Sequence, residues 1–266
     1  MAELETVTAE KERIGAELSL ASTIQENSVP TEFPAFPDRK DFDIFGSMDP
    51  AKEVGGDFFN FFLIDEDHLA LVIGDVSGKG VASALFMMVT NILLSDSARM
   101  GGGPAEILSS VNKDLCAHNK AEMFVTVWLG ILDLSTGKLT AANAGHEYPA
   151  LCRAGGAFEL LKDKHGLVVG AMDSVRYREY ELQLSPGDKL FVYTDGVPEA
   201  NADDGSMFGR KRMLSALNED ASASPEQILN TVRRAVDGFV RDAEQFDDLT
   251  MLCVEYNGKG EQDHDD

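Results

Sequence analysis

From Asp57 onward, short apolar runs rich in aromatic and β-branched residues follow one another, and helix-like stretches interrupt them in blocks. Asp57–Leu63 is an aromatic run and His68–Gly74 reads HLALVIG, both patterns that suit strands. Phe124–Leu132, Lys138–Ala142, Tyr148–Arg153, Glu179–Leu184, Lys189–Thr194 and Leu249–Tyr256 repeat the signal. Ser135-Thr136-Gly137 and Arg153-Ala154-Gly155-Gly156 supply hairpin turns. Val81–Ser97 is apolar nearly all round, as expected of a helix sandwiched in an interior. Pro104–His118 starts with a first-turn proline and carries Ile107, Leu108, Val111 and Leu115 on one face. Ser224–Val240 opens with a serine cap and proline. Strand runs and helix blocks without strict alternation predict an α+β layered sandwich, not a Rossmann fold.

The first thirty residues follow different rules. Val7, Ile14 and Ala21 recur every seven residues, with Leu4 and Leu18 at the complementary position, Lys11 breaking that second stripe and Ile24 widening the face. This predicts an amphipathic helix over 3–26. Two readings stay open: a helix packed on its own domain, or a short parallel coiled coil joining two chains as a homodimer. Residues 29–38 (VPTEFPAFPD) hold three prolines, which forbid a helix and predict a stiff extended linker. The expected organisation is a linker helix over 1–30, a proline-rich linker over 31–41, one domain over 42–257 and an acidic disordered tail over 258–266.

Composition narrows the class. With 266 residues, 44% of them hydrophobic, the chain can bury a large core without disulfides. Its three cysteines form neither a disulfide framework nor a CxxC zinc pair, which fits a reducing cytoplasmic compartment. A net charge of −23 argues against nucleic acid as a partner. No uninterrupted apolar run approaches the ~20 residues of a membrane span, and the N-terminus lacks the pattern of a signal peptide.

Four aspartates stand at strand ends or in adjacent tight turns: Asp57 in VGGDFFNFF, Asp75 in VIGDVSGKG, Asp195 in FVYTDG and Asp247, beside Asp248, in FDDLT. A strand delivers a carboxylate to the rim of a sheet, and a neighbouring glycine admits close backbone approach. Carboxylates and backbone carbonyls suit hard divalent cations, whereas zinc favours clustered His and Cys. Taken singly, each aspartate reads equally as a turn or surface residue. Gly74–Gly80 looks superficially like a P-loop, but only three residues separate Gly74 from Gly78 and Gly80 stands where Ser or Thr belongs. None of the three cysteines begins a Cys-x5-Arg loop. His146 reads either as a general acid or, more simply, as a turn histidine fixing a strand junction.

VGGDFFNFF, LVIGDVSGKGVASAL, LTAANAGHEYPAL, KLFVYTDGVPEA and FDDLTMLCVEY, taken in this order, resemble the bacterial SpoIIE-type branch of the metal-dependent protein phosphatases, the PPM or protein phosphatase 2C-like family, from about Phe42 to Tyr256. The resemblance implies a layered α-β-β-α sandwich of two mainly antiparallel sheets flanked by helices. It implies two Mn²⁺ or Mg²⁺ ions bridged by a water that, as hydroxide, attacks phosphorus in line. Asp57 and Asp75 would surround the pair, with Asp75 bridging; Val76 would lend its carbonyl to one ion; Asp195 and Asp247 would bind the second. Asp248 aligns with a site neighbour, Lys79 with a possible phosphate contact, and the phosphate-binding arginine of many eukaryotic relatives has no counterpart before Asp57. The implied substrate is phosphoserine or phosphothreonine on a small regulatory protein, often an anti-sigma-factor antagonist of STAS fold. The N-terminal helix resembles the linker to an upstream sensor or membrane module, so Met1–Pro30 is expected to be the end of such a linker in a longer protein. Its dimerisation is expected to reorient the Val81–Ser97 region. Two rivals are a non-catalytic regulatory module of the same fold and a hydrolase of small phosphate esters.

Overall fold

Among the described residues, ten strands pair into two five-stranded sheets, in the orders β1-β10-β9-β6-β7 and β2-β3-β4-β5-β8. The computed structural model describes residues 2–259, with only the backbone of residues 2–6, so the Leu4 side chain and the tail from residue 260 lie outside the described residues. The first sheet holds β1 (Phe42–Asp49), β6 (Ala150–Cys152), β7 (Phe158–Leu160), β9 (Asp188–Tyr193) and β10 (Leu249–Tyr256). The second holds β2 (Asp57–Leu63), β3 (His68–Val76), β4 (Val125–Asp133), β5 (Lys138–Ala144) and β8 (Glu179–Gln183). Each ladder between these strands is antiparallel. Helices α2 (Val81–Arg99) and α3 (Pro104–His118) cover the second sheet; α4 (Gly209–Leu217) and α5 (Pro225–Val240) cover the first. The result is the four-layer α-β-β-α order.

One apolar core fills the space between the sheets, with Phe59, Leu71 and Trp128 from one side and Leu190, Val192 and Leu252 from the other, and continues through the second sheet to α2 and α3. A second lies beneath α4 and α5 and holds Phe191, Tyr193, Phe208, Ile228 and Val232. Helix α5 is fixed at its start by a reciprocal cap. The Gln227 amide N–H donates to Ser224 Oγ at 3.4 Å, and the Ser224 N–H donates to Gln227 Oε1 at 3.2 Å.

Helix α2 departs from the interior helix that its composition predicts. Val81, Leu85, Val89 and Ile92 are 49–60% exposed. Ser83, Thr90, Asn91 and Ser95 are buried instead. Hydrogen bonds make this inverted arrangement tolerable: Asn60 Nδ2 donates to Asn91 Oδ1 at 2.9 Å and to Ser95 Oγ at 3.2 Å. By length and hydropathy α2 could cross a membrane, yet its polar side is bonded into a globular layer.

Helix α1 (Ala2–Glu26) leaves Val7, Ile14, Leu20 and Ile24 exposed and, among its described side chains, grips the domain at its C-terminal end. Gln25 is buried and pairs with the backbone of Gly55, donating from Nε2 to the carbonyl at 2.6 Å and accepting the amide N–H at 3.0 Å. Asn91 of α2 donates to the Ser28 carbonyl at 3.0 Å. The proline-rich segment that follows is laid on the domain, because the rings between its prolines find partners. Phe33 packs against Phe45 and Phe61, and Phe36 against Phe42 and Phe61. Sequence periodicity misses β1, the three-residue β7 and the nine-residue α4, all of which depend on long-range partners.

Candidate metal centre

Strand pairing brings the first two aspartates together. In the β2–β3 ladder Asp57 stands directly opposite Asp75. Val76 ends β3, and its amide donates to the Gly56 carbonyl at 3.3 Å. A side chain on Gly56 would put its Cβ 2.9 Å from the Val76 carbonyl oxygen, so glycine keeps that oxygen clear. The other sheet supplies the second pair. Tyr193 of β9 faces Met251 of β10, so Asp195, just past one strand, and Asp247, just before the other, share one sheet end. Thr194 ties the halves together: its Oγ1 donates to Asp57 Oδ2 at 2.6 Å, while its amide donates to the Thr250 carbonyl at 3.0 Å.

Burial and like charge dominate the electrostatics. Asp57 is 2% exposed, and burial followed by repulsion from Asp75 and Asp248 pushes its carboxyl well above the usual range, against the pull of the Thr194 and Thr250 hydroxyls. Burial first, then Asp195 and Asp247, pushes Asp75 up to about 7. Asp195 is pushed up to about 6 by burial, then by Glu199, Asp247 and Glu147. Lys79 is the cation on this cluster: its ammonium pairs with Asp247 Oδ2 at 3.0 Å, donates to the Phe246 carbonyl and lies 3.9 Å from the Phe246 ring centre. Lys79 is thus engaged with a proposed ligand and does not stand free as a phosphate contact.

Asp75 lies near enough to Asp57 to raise its pKa, and Asp195 and Asp247 lie near enough to Asp75 to raise that of Asp75. Among the described residues, however, no three His, Cys, Asp or Glu side chains converge tightly enough to close on one ion. The donor chemistry still fits a hard divalent cation. The groups offered are carboxylates plus a cleared backbone carbonyl, and their mutual repulsion in a buried place is what a cation would relieve.

Two polar groups beside the site have roles that the sequence does not show: Asp248 is expected there only as a site neighbour, and Gln25 not at all. Asp248 is 8% exposed and accepts three backbone amides: Gly56 at 2.7 Å and Asp57 at 3.3 Å on Oδ2, and Ala51 at 2.8 Å on Oδ1. Gln25 holds the neighbouring Gly55. The available signal was the double glycine itself, which invites backbone contact, and the Asp-Asp pair, since neighbours on an extended chain point to opposite sides. His146 takes the simpler of its two readings. It is buried, its Nδ1 lies 2.9 Å from Thr126 Oγ1, and burial pushes its pKa down to about 3, so it is neutral. Asn143 Oδ1 accepts its backbone amide at 2.8 Å, fixing the turn.

Similarity to known proteins agrees with this geometry. The family described as Stage II sporulation protein E (SpoIIE) matches residues 65–257. Protein IcfG of Synechocystis is 32% identical over 96% of this chain, and the phosphoserine phosphatase RsbU of Bacillus subtilis is 27% identical over 95%. The chain spans 44% of the length of IcfG and 73% of RsbU. Among solved structures, the SiaA-PP2C domain of Pseudomonas aeruginosa superposes with a TM-score of 0.82 at 24% identity, covering 93% of this chain and 99% of that one. RsbX in complex with magnesium superposes with a TM-score of 0.61 at 15% identity, covering 82% of this chain and 96% of that one. Such folds imply dependence on a divalent metal. Two sheets that bring four aspartates to one rim, and a family match over most of the globular part, lead to one conclusion: the chain belongs to the SpoIIE family, with the fold of a PP2C-type phosphatase domain.

Proposed function

We propose that this domain hydrolyses phosphoserine or phosphothreonine on a small regulatory protein, with Asp57, Asp75, Asp195, Asp247 and the Val76 carbonyl holding two Mn²⁺ or Mg²⁺ ions. The observation that carries this reading is the convergence of Asp57 and Asp75 from one sheet with Asp195 and Asp247 from the other. Bound there, the ions would supply a water deprotonated near neutral pH and neutralise charge on the phosphoryl oxygens. The chain's own residues perform the rest. Thr194 orients Asp57 by its hydroxyl. Gly56 keeps the Val76 oxygen accessible. Lys79 screens Asp247, and the remaining N–H of its ammonium is the one it could offer a phosphate oxygen.

Hydrolysis of p-nitrophenyl phosphate and of a phosphoserine peptide, measured with Mn²⁺, with EDTA and with Asp75→Asn, tests the reading. Turnover that needs Mn²⁺ and disappears in the variant supports it; Mn²⁺-independent turnover sinks it. The proposed partner class, an anti-sigma-factor antagonist of STAS fold, draws on relatives named as phosphoserine phosphatases RsbU and RsbP. A phosphorylated protein of that class should be hydrolysed far faster than the small ester; equal rates would favour a small-ester hydrolase.

The same proposal includes a regulatory role for α1 on the cytoplasmic side of a longer protein. Its exposed apolar stripe suits pairing with a second copy, and its C-terminal end touches both the Gly55 loop and α2. A truncated chain starting at Phe42 that kept full activity and the same oligomeric state would remove that role.

A further inference from the structure

The segment between β1 and β2, residues 50–56, lacks regular structure, so its backbone donors need partners from elsewhere. They find them on two side chains that the chemistry does not use. Gln25 takes the Gly55 amide, and a single carboxylate, Asp248, takes those of Ala51, Gly56 and Asp57. Three amide donors on one buried carboxylate make a charge-assisted anchor, stronger than neutral hydrogen bonds in the same places. The backbone on either side has been shaped around it. A Cβ on Gly55 would collide with Asp248 Oδ2, and one on Gly196 would collide with the Asp248 carbonyl.

We infer that Asp248 is a positioning residue of this phosphatase: its carboxylate holds the 51–57 loop so that Asp57 and the Val76 carbonyl present their oxygens to the metal site. The inference rests on the metal reading above and extends it to a residue that binds no ion. The route is short. Asp248 holds the Gly56 amide, the Gly56 carbonyl accepts the Val76 amide at 3.3 Å, and Asp57 follows Gly56 directly. Asp248 thus links the two sheets through backbone, as Thr194 does through a side chain. Asparagine cannot substitute, because it keeps one acceptor oxygen and turns an amide donor towards the other N–H groups.

The test uses the full chain with Asp248→Asn and, separately, Gly55→Ala, which evicts the carboxylate without touching it chemically. Three readouts are taken: amide exchange across residues 51–57, Mn²⁺ affinity by calorimetry, and kcat at saturating Mn²⁺. Both variants should keep the parent fold and exchange faster in 51–57 than elsewhere. Both should bind Mn²⁺ about 10–100-fold more weakly, as expected when a group supporting a ligand is lost. Saturating Mn²⁺ should then bring kcat back to within about threefold of the parent, since the ligands themselves remain. Mn²⁺ affinity within twofold of the parent in both variants overturns the inference. So does a kcat that saturation does not restore while exchange at 51–57 stays unchanged, the signature of a direct ligand. If the parent itself binds no Mn²⁺, the metal reading fails on its own, and exchange alone decides: unchanged protection of 51–57 in both variants then overturns the anchoring role.

Discussion

The two halves of the candidate metal centre are built differently. The half from β2 and β3 consists of Asp57 and Asp75, paired across one ladder, the first buried and the second half-buried, and neither forms an ion pair among the described residues. The half from β9 and β10 consists of Asp195 and Asp247 at strand ends, with Asp247 already paired to Lys79. The first half stores electrostatic repulsion in a rigid ladder; the second relieves it with a lysine on a loop. A cation entering this site gains most from the rigid half and has to displace a competitor at the other.

The sharpest way to break this contrast is to remove one carboxylate from each half. Asp75→Asn should lower metal-dependent turnover by roughly 10³-fold, and Asp247→Asn by roughly 10²-fold, measured as kcat/KM at fixed Mn²⁺. Equal losses would mean that the two halves share the load evenly.

The next effect is on stability without metal. Asp75 has a folded pKa near 7, against 3.8 for an ordinary carboxyl, so the folded state holds this proton more tightly than the unfolded chain. Its contribution is therefore favourable below about pH 4, is lost as pH rises towards 7, and is constant above. In EDTA, Asp75→Asn should match the parent near pH 4 and exceed its stability at pH 8, by on the order of 3 kcal/mol. Urea unfolding at both pH values reads this directly, and a stability difference that does not change with pH would refute the buried, unpaired carboxylate. The same comparison with Asp195→Asn should end its pH window nearer 6.

A smaller effect is expected from Gly56→Ala, which places a methyl against the Val76 carbonyl. Mn²⁺ affinity should fall about tenfold, judged by calorimetry. Smallest is Lys79→Ala. Removing the competitor of a part-exposed pair should tighten Mn²⁺ binding by ~2–5-fold with KM for the phosphopeptide unchanged. A raised KM would instead assign Lys79 to the phosphate.

Much of the fold was legible because local signals agreed with global ones. Pro104–His118 and Val81 as a helix start follow from turn chemistry and patterning alone. The aspartates could be singled out because each sits at or beside one end of a strand run, but their convergence could not. Asp57 meets Thr194, 137 residues away, only because two sheets stack. Helix α2 misled because hydrophobic content was taken for burial; its polar residues turn inward to bond Asn60, which no periodicity records. Gln25 and the anchoring role of Asp248 escaped for a related reason: their partners are backbone amides, and backbone carries no sequence signal.

The position of β10 has a consequence for synthesis. This last strand lies between β1 and β9, with Phe42 opposite Tyr256 across nearly the whole chain. Until the ribosome has released it, β1 and β9 each keep an open edge, and Asp247 has not yet reached the rim. The emerging domain therefore passes through a stage in which exposed strand edges wait for β10, a stage that favours protection by chaperones.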